Sequence, residues 1–185
     1  MPGPLFIDGD TVSLRPIEEE DLEFLKAHVN DPTVWRSIGW PKPTNGPAEQ
    51  QFFEERVCGD DSINLLFTVD EQPVGTGGFN QFNHELDKAE LGYWVAPEHH
   101  QQGYGSAAVE LLIEYGFAER NFHRIEAKVF DFNTASQNLL ESLGFTKEGV
   151  HRDAYYANGS YQDVHWYGLL EDEWDDGGVD ISGRN

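Results

Sequence analysis

Apolar and polar residues alternate in short blocks along the chain, and the spacing switches repeatedly between strand and helix periods. Val12 to Arg15 reads as a short strand. Pro16 leads into the acid-rich turn Glu18-Glu19-Glu20-Asp21, which suits the positive end of a helix dipole. Leu22, Leu25 and Val29 give that helix an apolar stripe, and Asn30-Asp31-Pro32 ends it. Ser37 to Gly46, with two prolines and two glycines, is expected to be loop, followed by a second helix from about Ala48 to Val57. Strands are expected from Ile63 to Val69 and from Val74 to Gln81, joined by Asp70-Glu71-Gln72-Pro73. Gly75, Gly77 and Gly78 weaken the second strand but admit a close backbone or ligand.

The next strand, about Ala89 to Val95, puts Leu91, Tyr93 and Val95 on one face and Glu90, Gly92 and Trp94 on the other. Ala107, Ala108, Leu111, Leu112 and Tyr115 then recur at helical spacing. Ile125, Ala127 and Val129 alternate as a strand. Asn133 is placed to cap a helix that ends at Leu143, with Gly144 as the residue after its cap. Phe145 to Tyr156 and Tyr161 to Leu170 form a long hairpin about Ala157-Asn158-Gly159-Ser160. The order predicts an α+β fold, a mixed sheet flanked by helices, in a single domain over 1–174 with a mobile acidic tail over 175–185.

Charge changes this picture in one respect. Twelve Lys and Arg face thirty-four Asp and Glu, a formal net charge of −22. Such a field repels nucleic acid and anionic membrane surfaces, so neither is an expected partner. The scatter of the acids and the shortage of lysine fit a salt-adapted, halophilic (haloarchaeal) protein, because counterions screen the self-repulsion. No apolar run approaches the roughly 20 residues that span a bilayer, and Met1-Pro2-Gly3-Pro4 does not open a secretory signal. Cys58 is the single cysteine, expected as a small core residue, and a cytoplasmic location follows most simply. His99 and His100 are adjacent and diverge in a loop, and no His-x-x-x-His pair exists, so no metal site is expected.

The chemistry concentrates between Glu90 and Ala108. A strand passes through Pro97 and the loop His100-Gln101-Gln102-Gly103-Tyr104-Gly105-Ser106 into a long amphipathic helix. Amides in the first turn of that helix lack internal partners and carry its positive dipole end, which suits a phosphate. Gly103 and Gly105 keep Cβ atoms out of the way. Gly103-x-Gly105-x-x-Ala108, with Glu126 about twenty residues on, also fits a loose dinucleotide fingerprint. Against that, seven residues from Ala96 to Gln102 separate the strand from the first glycine.

These residues resemble the GNAT N-acetyltransferases, and within them the RimJ/RimL-like branch. The family loop Gln/Arg-x-x-Gly-x-Gly/Ala is matched by Gly103 and Gly105, with His100 departing from its first position. Leu14-Arg15-Pro16, Leu91-Gly92-Tyr93-Trp94-Val95, Arg124-Ile125-Glu126-Ala127, Asn133-Thr134-Ala135-Ser136 and Leu143-Gly144-Phe145 follow in the family's order. The resemblance implies a GNAT fold with a mixed, mostly antiparallel sheet of about seven strands and about four helices. It implies transfer of an acetyl group from acetyl-CoA, with no metal, to a primary amine on a small molecule or a protein N-terminus. The enzyme would be a monomer or homodimer.

The resemblance also assigns roles. His100, Gln101, Gln102, Gly103, Tyr104, Gly105 and Ser106 would hold the cofactor's diphosphate. The strand would splay near Trp94 to Ala96, so that Trp94 and Val95 hold the pantetheine arm, with Asn133 bonding its amide. Ser136 either donates a proton to the leaving thiolate or only supports the helix cap. Glu90 either acts as general base or is a salt-bridged carboxylate. Trp35, Trp40 and Phe82 either line the acceptor pocket or pack. Two other readings stay open: a catalytically silent acyl-CoA sensor of the same fold, and a dinucleotide-linked oxidoreductase.

Overall fold

The computed structural model describes residues 3–83, 86–174 and 181. Among them eight strands form one sheet in the order β1-β2-β3-β4-β5-β6-β8-β7. They are β1 (Ile7–Asp8), β2 (Ser13–Pro16), β3 (Ile63–Val69), β4 (Gln72–Asn83), β5 (Lys88–Val95), β6 (Arg124–Phe130), β7 (Thr146–Ala157) and β8 (Ser160–Leu170). Five α-helices accompany them: α1 (Leu22–Val29), α2 (Pro32–Ile38), α3 (Gly46–Phe52), α4 (Tyr104–Ala118) and α5 (Thr134–Ser142). The sheet thus has one strand more than the seven expected, and the extra one is the two-residue β1, too short to show an alternation.

The fifth helix is α2, where the sequence suggests loop from Ser37 onward. Asp31 caps it by accepting from the Thr33 amide at 2.7 Å, Pro32 fills its first turn, and Gly39 closes it in the left-handed region. Asn30-Asp31-Pro32 therefore ends one helix and starts the next, a double use that the punctuation alone conceals. The last five residues of the helix expected over 48–57 are a π-turn, Phe53–Val57, rather than α-helix. Cys58 follows it and is exposed, not a core residue. The expected tail, 175–185, lies outside the described residues except for Ile181, which packs half-buried against the main core.

Alternation along the strands decides which layer each residue joins. In β3, Leu65 and Phe67 face the larger core beneath α4, with Val109, Leu112 and Ile113 fully buried there. Leu66, between them, faces a smaller core with Ile17 and Leu25 under α1 and α3. Burial of these side chains at roughly 25 cal/mol per Å² is what holds helices on both faces. No helix among the described residues is long and apolar enough to cross a membrane.

All neighbouring strands run antiparallel except β5 and β6, which are parallel and pair only at Lys88–Arg124, Ala89–Ile125 and Glu90–Glu126. Beyond Glu90 the two strands separate, while β5 continues to pair with β4 as far as Val95. The sheet is split along half its height.

Candidate active site

The split opens a cleft of about 1120 Å³ bordered by β5, β6, α2, the turn before α4, and α5. It brings Glu90, Trp94, Val95, His100, Gln101, Gly103, Tyr104, Gly105, Ser106, Asn133 and Ser136 to one continuous surface. Gln102 is in the same turn but faces away, its side-chain amide donating to the Glu98 carbonyl at 3.1 Å.

The turn before α4 has the geometry that an anion needs. The first bond of the helical ladder runs from the Ala107 amide to the Gly103 carbonyl at 3.1 Å. The amides of Tyr104, Gly105 and Ser106 precede it and have no helical acceptor. Gly103 sits at φ +82°, which side chains disfavour, whereas a Cβ at position 105 would make only ordinary contacts with Leu139 and Val95 at 3.5 Å. The two glycines therefore differ: the backbone requires one, and the other only clears space. His100 is turned back on the strand, its Nε2 lying 2.8 Å from the Val95 carbonyl, so the imidazole braces the loop. Glu98, in the same loop, is held towards α1 by Nε2 of His28 at 3.0 Å.

Backbone groups of β5 supply the second surface. The Ala96 amide bonds the Val74 carbonyl on the β4 side at 2.8 Å. Alternation turns the amides of Tyr93 and Val95 the other way, towards the gap left by β6. An extended chain laid in that gap would find strand-like partners. The splay begins after Glu90, four residues earlier than Trp94.

Asn133 and Ser136 stand across the gap at the start of α5. Asn133 caps the helix, its side-chain oxygen accepting from the Ser136 amide at 3.2 Å. The Ser136 hydroxyl is not spent on the cap; it lies 2.7 Å from the Tyr93 hydroxyl. Burial pushes the Tyr93 phenol up to about 12, although the Ser136 contact partly opposes the rise. The sequence reading missed Tyr93 as a site residue, having placed it correctly on a strand face. The signal was there: position 93 faces the same side as Val95, the residue expected to meet the cofactor.

Glu90 and Trp94 lie on the opposite face of β5. The Glu90 carboxylate is ion-paired with Lys128 of β6 at 2.5 Å, and the same ammonium sits 4.5 Å from the centre of the Trp166 ring. Trp94 stacks near Phe24 and His28 of α1. Trp35, Trp40 and Phe82 are not among the described residues lining the cleft. Phe82 packs against Phe122, and Trp40 is exposed and bonded to Thr44. Glu126, the acid of the dinucleotide alternative, is taken up by Arg124 and Lys88 at 2.9 and 3.0 Å.

Comparison with known proteins agrees with this geometry. Residues 11–146 match the profile of the acetyltransferase (GNAT) domain. An uncharacterized N-acetyltransferase of Bacillus licheniformis, p20, is 34% identical over 172 residues, covering 89% of this chain and 96% of its own. The uncharacterized N-acetyltransferase YoaA of Bacillus subtilis is 39% identical over 177 residues, with 89% and 96% covered. Among solved structures, the spermidine N-acetyltransferase of Vibrio cholerae in complex with CoA and spermine superposes with a TM-score of 0.83. That likeness covers 89% of this chain and 98% of the other at 22% identity, and concerns the fold.

Proposed function

The chain belongs to the GNAT acetyltransferase family, and from that premise we propose that it moves the acetyl group of acetyl-CoA directly onto a primary amine, within one ternary complex. The observation that carries the reading is the split between β5 and β6 beside the unpaired amides of Tyr104, Gly105 and Ser106. An oxidoreductase does not fit this family. A silent acyl-CoA sensor would keep the donor-binding half and lack turnover.

Acetyl-CoA supplies an activated acyl group whose thiolate leaves as the amine nitrogen bonds the carbonyl carbon. The chain's residues do the rest. The amides of the turn hold the diphosphate, helped by the dipole of α4. The Val95 amide, turned into the gap, donates to the thioester oxygen, where negative charge grows. Asn133 accepts or donates at the pantetheine amide. Tyr93 remains protonated at neutral pH and donates to Ser136 Oγ, which turns the serine proton outward to the departing sulfur. Glu90, with one oxygen engaged by Lys128, receives the amine's proton on the other, directly or through water.

The order of motifs supports placement in the RimJ/RimL-like branch, and an acetyl-CoA-dependent reaction fits the cytoplasm. The net charge of −22 supports adaptation to high salt. A thiol-release assay with acetyl-CoA and an amine and peptide panel in molar KCl tests the activity. Turnover with at least one amine is expected; donor binding without any turnover selects the sensor.

A further inference from the structure

The cleft differs in charge from the molecule around it. The chain carries thirty-four acids, yet among the described residues Glu90 is the one carboxylate lining the cleft, beside two full cations, Arg36 and Lys128. Glu90 is already neutralised by Lys128. Acids close by in sequence are turned elsewhere. Asp31 accepts from the Thr33 amide at 2.7 Å, and Asp163 accepts from the Asp153 amide at 2.9 Å.

The end of the cleft away from the turn before α4 is the entrance left for the acceptor. It lies under α2, and its wall is aromatic. Phe130 and Phe132 stack with centroids 5.4 Å apart, and Tyr155 lies 4.6 Å from Phe130, anchored by its hydroxyl to the Gly39 carbonyl at 2.8 Å. Ile38 at the rim is exposed. Among the described residues a substrate with several ammonium groups finds no carboxylate here that is not already paired, and it meets Arg36. An apolar body finds rings to cover.

We propose that the acceptor is a singly charged amine on an apolar or aromatic body, and that polyamines are poor substrates. The inference rests on the transferase reading above and narrows its acceptor.

The test compares phenethylamine with spermidine by thiol release at low and molar KCl, with acetyl-CoA saturating, in the unaltered chain and in Arg36→Glu. The expected result is a kcat/KM at least about tenfold higher for phenethylamine at both salts, narrowing severalfold in the variant. Arg36 is an exposed residue of α2 whose guanidinium lies over Trp35, so a charge change there spares the core. Equal or faster turnover of spermidine in the unaltered chain would overturn the acceptor assignment and leave the transferase standing. Acetyl-CoA binding with no transfer to either amine, or to any member of a wider panel, would overturn both.

Discussion

The Tyr93 hydroxyl lies 2.7 Å from the Ser136 hydroxyl, joining the central strand to the first turn of α5 across the split in the sheet. Neither residue reaches that place by chance of rotamer. A Cβ at Gly77, in the neighbouring strand, would come within 2.7 Å of the Tyr93 Cβ and 2.5 Å of Phe67, so the glycine makes the room in which this side of β5 packs. The Asn133 cap fixes the serine from the other side.

Removal of either hydroxyl should therefore slow chemistry more than binding. Ser136→Ala is expected to lower kcat by about 100-fold and Tyr93→Phe by about tenfold, with the KM for acetyl-CoA little changed. The double variant should be no slower than Ser136→Ala alone, because the tyrosine acts through the serine. Multiplied losses, or full activity in Ser136→Ala, would contradict that chain of donors.

Glu90 carries a separate expectation. In Glu90→Gln the rate at neutral pH should fall by about 10- to 100-fold, with the KM for acetyl-CoA little changed. An unchanged rate would leave Glu90 only its ion pair with Lys128.

Glu49, in the first turn of α3, gives a stability test outside the site. Burial raises its carboxyl from 4.5 to about 6, with nearby Lys26 opposing. Between those values the folded chain holds a proton that the unfolded chain has released. Stability from this group is thus complete below pH 4.5 and lost as pH rises through 6, a change of about 2 kcal/mol. Glu49→Gln should flatten the dependence of denaturation midpoint on pH between 4.5 and 6 and leave the variant the more stable protein at pH 7.

The salt expectation is equally direct. With a net charge of −22, the melting temperature should rise steadily from low to molar KCl. A flat curve would mean that the acids serve something other than salt tolerance.

The strands at 63–69, 89–95 and 125–129 were legible because their alternation matches burial on a two-faced sheet, and the cap at Asn133 because its chemistry is local. Helix α2 was not, since Asp31 and Pro32 read as a stop and their second use as a start depends on what packs beneath. Glu90, Ser136 and the turn at Gly103 were recognised as candidates one at a time. The partners of Glu90 and Ser136, Lys128 and Tyr93, belong to other elements, and such pairings follow from how strands and helices are arranged, which no local pattern encodes. The early splay after Glu90 has the same origin: β6 stays paired with β8 along its whole length while β5 stays paired with β4.

The most direct measurement is a crystal structure of the chain with acetyl-CoA bound. The account predicts diphosphate oxygens at about 2.7–3.2 Å from the amides of Tyr104, Gly105 and Ser106, and the pantetheine arm lying between β5 and β6. A cofactor bound elsewhere, with those amides facing only water, would contradict it.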